Sequence, residues 1–271
     1  PMGETIRLTG VHETLLATLQ ARALDNRQPR PVLGDATAEE LLRRIDYDFS
    51  RIRTATKDMR IVTFRARKLD EWAGRFLAVH PDAVVLHLAC GLDSRAFRMD
   101  VPDTVEWIDV DVPDVIELRS RLYPERDGYR MIGASVTTED WLDTVPRNRP
   151  ALVVAEGLTP YLREADGEEM LRRVIRHLPT GAVMFDAVLP WTLRFAKYSQ
   201  LLRATGATFG WGIGNPRSLE SRVPGLRFQE QWSMLDSPFL ADARPVEKWV
   251  GAGMRSIPQL RFAHRLLRYT F

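Results

Sequence analysis

Between residues 84 and 186 short apolar runs alternate with amphipathic helical patterns, and this alternation constrains the fold more than anything else in the chain. The runs are Val84-Val-Leu-His-Leu88, Val105-Glu-Trp-Ile-Asp109, Tyr129-Arg-Met-Ile-Gly133, Ala151-Leu-Val-Val-Ala155 and Ala182-Val-Met-Phe-Asp186. Helical patterns fall between them over residues 112–122 and 164–177. Runs this short that are apolar throughout are strands buried on both faces, a condition met when crossover helices cover a parallel sheet. The expected fold is therefore an open α/β sheet with helices on both faces. Ligands bind such sheets at the carboxyl ends of the strands.

The flanks differ from this core. Residues 14–24, 38–45 and about 58–80 carry apolar side chains at helical spacing, interrupted at Pro29 and Pro31 and ended at Pro81. Residues 191–203 repeat the helical pattern and lead into Gly206-Ala-Thr-Phe-Gly-Trp-Gly-Ile-Gly214. Residues 226–232 and 260–271 read as strands that pair antiparallel at the sheet edge, giving seven strands in all. The expected organisation is a helical cap over 1–80, an α/β core over 81–189, a cap insertion over 190–225 and closing strands over 226–271.

Composition narrows the function by exclusion. Basic residues number 38 and acidic residues 36, so a net charge of +2 supplies no field for nucleic acid or anionic lipid. The single cysteine, Cys90, rules out an internal disulfide framework, and the five histidines form no HExxH-like pair, so no metal is expected. The longest apolar stretches are far shorter than the roughly 20 residues that span a bilayer. No signal-peptide pattern opens the chain, and the cytoplasm is the expected compartment. Four lysines (Lys57, Lys68, Lys197, Lys248) leave 34 arginines among the 38 basic residues. GC-rich coding accounts for most of such an excess; some of these guanidiniums are expected to grip planar anions.

Three strand ends carry the chemistry. Val84-Val-Leu-His-Leu-Ala-Cys-Gly-Leu-Asp-Ser-Arg95 runs from a strand into small residues that let a ligand approach the backbone, without the glycines of a GxGxxG loop. The next strand ends at Asp109 and Asp111, about 20 residues after Gly91, where α/β nucleotide sites place a ribose-binding acid; Asp111, nearer the strand end, is the better candidate. Glu156 follows the apolar run 151–155 at the centre of the sheet, and a carboxylate there needs a partner. A plain strand-to-helix turn, a solvated acid pair and a helix-capping carboxylate are the structural alternatives.

These residues resemble a known family. Leu88-Ala-Cys-Gly-Leu-Asp-Ser-Arg95 is similar to the LGxGxDxR segment of the leucine carboxyl methyltransferase superfamily, and most like its bacterial polyketide O-methyltransferase branch of the tetracenomycin type. Asp109-Val-Asp-Val-Pro113 resembles the family's E-V-D-x-P, Ala155-Glu-Gly-Leu-Thr-Pro-Tyr-Leu162 its A-E-G-x-x-x-Y-L, and Thr63-Phe-Arg-Ala-Arg-Lys-Leu-Asp70 its A-R-T-R-x-x-D. Ile45-Asp-Tyr-Asp-Phe49 and the Trp211-Gly-Ile stretch also match the polyketide branch. The resemblance implies a Rossmann-like class I fold and S-adenosyl-L-methionine as cofactor. It assigns Arg65 to the methionine carboxylate, Glu156 to the amino group, Ala89 and Gly91 to the methionine end, and Asp111 to the ribose. Ser135 and Val136 fall beside the adenine, and Arg22 is a further cofactor contact. Ala89 stands where the family has a glycine, and Ser135 where it has an aspartate, which removes a charged acceptor from the adenine site.

The implied reaction is in-line methyl transfer to an oxygen of a small, aromatic, acidic acceptor, with the protein aligning the partners and excluding water. Tyr161 is expected to face the acceptor as the catalytic and substrate-binding side chain, with Arg194, Tyr198 and Trp211 as further contacts. Trp191, Phe195 and Phe209 supply flat surfaces in the cap, and Lys197 a second anion contact. No general base stands out in the sequence, which favours a carboxylate or an acidic phenol, ionised without one. Competing readings are an NAD(P)-dependent oxidoreductase and a non-catalytic protein with a degenerate cofactor site. Either a monomer or a homodimer is compatible.

Overall fold

Every side chain of β1 (Val84–Leu88), β4 (Ala151–Ala155) and β5 (Gly181–Val188) is buried. These strands lie at the middle of one sheet whose order is β3-β2-β1-β4-β5-β7-β6, with β2 at Glu106–Asp111, β3 at Tyr129–Gly133, β6 at Arg227–Ser233 and β7 at His264–Thr270. The computed structural model describes residues 12–50, 52, 59–138, 140–195, 208–238, 240 and 245–271. The first five strands are parallel, and β7 is antiparallel to both β5 and β6. The seven-stranded, mostly parallel sheet expected from the sequence is present. Its closing pair is not a tight hairpin, because a helix over Pro245–Arg255 intervenes between β6 and β7.

Alternation along each strand divides the core in two. Val84, Leu86 and Leu88 face the layer that contains α6 (Glu164–His177), through Met170, Leu171 and Val174. Val85 faces the layer of α3 (Met59–Val79), through Leu69, Trp72, Ala73 and Leu77. A third cluster joins α1 (His12–Asn26) and α2 (Ala36–Arg44) to α5 (Pro113–Leu122). Asp35 caps α2 by accepting the Ala38 N–H at 2.9 Å, and accepts the Ser94 hydroxyl at 2.5 Å just before the short helix α4 (Arg95–Arg98). The buried cap thus pins the N-terminal helices to the end of β1.

The register explains which side chains meet. Ala155 pairs with Phe185, so Glu156 and Asp186 emerge side by side at the carboxyl ends of β4 and β5. Because β7 runs the other way, its first residue His264 lies opposite Val188, at that same end. Asp186 faces Leu266, which makes His264 its diagonal neighbour on the same face of the sheet.

Candidate functional site

A cavity of about 310 Å³ opens at the carboxyl ends of β1 and β4. Its floor is the turn Ala89, Cys90 and Gly91, its roof is α1 through Leu15, Thr18 and Arg22, and its far wall carries Arg65, Glu156, Gly157, Tyr161, Phe209 and His264. Residues 65, 156 and 186 come from separate elements and are joined by a hydrogen-bonded network of buried charges.

Arg65 donates through Nε to Glu156 at 3.0 Å and through Nη1 to Asp186 at 3.0 Å. Arg95 donates to Glu156 at 2.6 Å and to Asp70 at 2.6 Å. Arg22 approaches Glu156 at 3.3 Å and Asp93 at 3.4 Å, and Arg98 bridges Asp35, Asp70 and Asp93. Four guanidiniums (Arg22, Arg65, Arg95, Arg98) therefore meet five carboxylates (Asp35, Asp70, Asp93, Glu156, Asp186). Burial disfavours charge on Glu156, but Arg65, Arg95 and Arg22 overcome it and hold the carboxyl at about 2. The same balance holds Asp186 at about 2, where burial is outweighed by Arg65, the His264 ring and the Gly157 N–H. Glu156 and Asp186 stay ionised because the adjacent guanidiniums outweigh the cost of burial, and removing a guanidinium would leave an unpaired buried charge.

The two acids of β2 have different fates. Asp109 is fully buried and accepts from Trp107 at 2.9 Å, Arg119 Nε at 2.7 Å and the Tyr129 hydroxyl at 2.5 Å, with the His87 ring at 3.0 Å. Arg119 also donates to the Gly91 carbonyl at 3.0 Å, so this pair holds the turn. Asp111 is half-buried and, among the described residues, accepts only the backbone N–H groups of Gly91 and Val112, each at 2.8 Å. Burial raises its pKa despite those bonds. Asp111 keeps lone pairs for a ligand and Asp109 does not.

Ala89 and Gly91 both adopt left-handed backbone with φ of 50°. A Cβ on Gly91 would lie 2.8 Å from the Leu15 side chain, so the glycine lets α1 close on the turn. Alanine at position 89 takes up the conformation that glycine would take more cheaply. Cys90 is buried with its thiol pushed up chiefly by desolvation, which leaves it unreactive.

The remaining expected contacts separate. Tyr161 ends a one-turn helix over Thr159–Tyr161, lines the cavity and meets Phe209 edge-on at 5.2 Å. Burial raises its hydroxyl pKa, although Arg65 opposes this, so it is a donor rather than a base. Ser135 and Val136 follow the outer strand β3; Val136 packs in the core, Ser135 bonds Thr137 at 2.8 Å, and neither lines the cavity. Trp211 is 1% exposed and packs on Gly167 of α6, where a Cβ would lie 2.1 Å from its ring. Its large apolar surface is spent in the core, and it does not line the cavity. Arg194 is exposed on the short helix Thr192–Phe195 and is not part of the cavity wall. Tyr198 and Lys197 lie outside the described residues.

The sequence reading missed His264 and Asp186. Asp186 follows an apolar run, the same signal that marked Glu156. His264 carries no local signal, because its partner lies 78 residues away. No general base stands out in the sequence; in the structure an imidazole paired with a carboxylate, His264 with Asp186, stands on the cavity wall. Among the described residues no group of three or more His, Cys, Asp or Glu side chains is arranged to hold a metal ion, and no helix is long and apolar enough to cross a membrane.

A model of the leucine carboxyl methyltransferase family matches residues 15–175 of the 271. The chain is 39% identical over 251 residues to the S-adenosyl-L-methionine-dependent methyltransferase dpfgK of Gibberella zeae, across 85% of this chain and 84% of that protein. Among solved structures, a DUF574-family protein of Streptomyces avermitilis superposes with a TM-score of 0.56 at 14% identity, over 92% of this chain and 96% of its own. An S-adenosylmethionine-dependent methyltransferase of Mesorhizobium loti superposes with a TM-score of 0.51 at 14% identity, over 74% and 98%. These two likenesses place the sheet in the Rossmann-like class I methyltransferase fold. With the family model spanning more than half of the sequence and that relative matched along most of both chains, the protein belongs to the leucine carboxyl methyltransferase family.

Proposed function

We propose that the protein is an O-methyltransferase that moves a methyl group to a carboxylate or phenolic oxygen of a small, aromatic, polyketide-like acceptor by in-line displacement. Methyl transfer from S-adenosyl-L-methionine is the activity that the family and its named relative support. The observation that carries the reading is the meeting of Arg22, Arg65, Glu156 and the left-handed Ala89–Gly91 turn around one cavity at the carboxyl ends of β1 and β4.

The residues present fit that cofactor. Arg65 has Nη2 without a hydrogen bond among the described residues, a donor for the methionine carboxylate. Glu156 receives the amino group, the turn passes beneath the methionine chain, and Asp111 takes the ribose hydroxyls. Arg22, with a buried Nε that has no partner among the described residues, adds a second donor from α1. Ser135 and Val136 follow β3 outside the cavity wall, on the side toward which the adenine extends from Asp111. The one carboxylate in excess over guanidiniums complements the positive charge of the sulfonium. When bound, the cofactor supplies a methyl group already activated for displacement. Tyr161 donates to the acceptor oxygen, and Phe209 packs beside it. α1 covers the cavity and excludes water from it, and β6 and β7 complete the sheet.

Thermal-shift and calorimetric titration with S-adenosyl-L-methionine and with NADH tests this reading. Stabilisation by the methyl donor is expected, and Arg65→Ala weakens that binding at least tenfold, about 1.4 kcal/mol. Stabilisation by NADH alone would show the reading to be wrong.

A further inference from the structure

The geometry points to His264 as the general base of the reaction, and hence to an acceptor whose oxygen arrives protonated, a phenol or enol rather than a carboxylate. This inference rests on the methyl-transfer reading above and narrows its substrate class. The His264 side chain lines the cavity and is 27% exposed, with Nε2 3.1 Å from Asp186 Oδ2. Asp186 is held ionised and accepts three bonds: Arg65 Nη1 and His264 Nε2 on Oδ2, and the Gly157 N–H on Oδ1 at 2.7 Å. An ionised carboxylate only accepts, so Nε2 carries a hydrogen, and the neutral ring then has its lone pair on Nδ1. Nδ1 makes no hydrogen bond among the described residues. Carboxylate, imidazole and an open ring nitrogen beside a reaction cavity are the parts of a base oriented by a third group.

The charged and titratable neighbours are accounted for. Asp186 of β5 and Arg65 of α3 meet at the oxygen that His264 also uses. Glu156 of β4 is bonded to Arg65, and Tyr161 stands on the next turn of the same wall. Arg265, the adjacent residue of β7, is turned to the opposite face and donates to the Ile213 and Gly214 carbonyls and to Gln231.

The step balances without a further reactant. The acceptor oxygen forms the new O–CH3 bond while the sulfonium C–S bond breaks, its electron pair going to sulfur. The O–H proton passes to Nδ1, and the resulting imidazolium, paired with Asp186, returns it to solvent. A carboxylate acceptor brings no such proton and would leave the pair without a task.

The test reads the ring directly. In the full-length protein, 15N-edited spectra of the five histidines, assigned through His264→Gln, are expected to show His264 as the neutral Nε2–H tautomer by pH 9. An imidazolium throughout, or the Nδ1–H tautomer, overturns the proposal, whether or not any acceptor turns over. In parallel, labelled methyl transfer is measured to 1-naphthol and 1-naphthoate. Methylation of the naphthol is expected, with His264→Gln lowering kcat about 100-fold, leaving donor KM unchanged and removing the acid limb of the native pH profile. Methylation of the naphthoate alone, or a variant within threefold of native, overturns the assignment. Binding of S-adenosyl-L-methionine is read on the same sample: its absence beside the expected tautomer refutes the cofactor assignment and not the pair.

Discussion

At the scale of single residues, two aspartates two positions apart on β2 do opposite work, and substitution separates them. Asp111→Ala removes the carboxylate that accepts two backbone N–H groups at a half-buried site and is expected to lower S-adenosyl-L-methionine affinity at least tenfold with little loss of melting temperature. Asp109→Asn breaks a fully buried ion pair with Arg119 and is expected to cost about 3 kcal/mol of stability. Calorimetry and denaturant unfolding on both variants check this; equal effects in the two would refute the division. The turn below them makes a second case. Alanine in the left-handed region costs about 1 kcal/mol more than glycine, part of which is recovered because alanine has less freedom to lose on folding. Ala89→Gly is therefore expected to be neutral or to stabilise by up to about 1 kcal/mol, with the cofactor turn unchanged. A clear destabilisation in urea titration would show that the Ala89 methyl contributes packing that outweighs the backbone strain.

At the scale of elements, α6 and the strands show how packing overrides a functional expectation. Trp211 sits in a glycine-aromatic stretch that reads as an acceptor surface, yet Gly167 leaves a gap on α6 that the indole fills. Gly167→Ala is expected to cost about 1–3 kcal/mol by overpacking, and to shift the Trp211 fluorescence toward that of an exposed indole. Native-like stability and emission would mean that the ring has room to move. Elements also decide where chemistry gathers. An antiparallel β7 carries its first residue to the end of the sheet where the parallel strands finish, and without that reversal His264 would lie at the opposite end of the strands.

At the scale of the whole molecule, the buried network links α1, α3, α4, β4 and β5 and makes stability depend on pH. Glu156 and Asp186 are held at about 2, below the roughly 4 of an unfolded carboxyl. A group with a depressed folded pKa stabilises the fold above its unfolded value, and the contribution is lost as pH falls through the folded one. Melting temperature is expected to hold from pH 7 to about pH 5 and to fall steeply between about pH 5 and pH 2; a flat profile down to pH 3 would remove these carboxylates from the stability of the fold. Much of the molecule was legible before its structure was known. The apolar runs determined the parallel strands, because a strand covered on both faces has to be apolar throughout, and small residues after β1 with acids after β2 and β4 marked the ligand end of the sheet. Only the tertiary structure decided how the charges are shared: that Arg65 divides itself between Glu156 and Asp186, that Asp109 is consumed by Arg119, that Trp211 belongs to the core, and that His264 stands in the cavity. Those outcomes depend on partners 10 to 121 residues apart, brought together by strand register and chain reversal. Local patterning records which face of an element is buried; which charge meets which is set by the packing of the elements against one another.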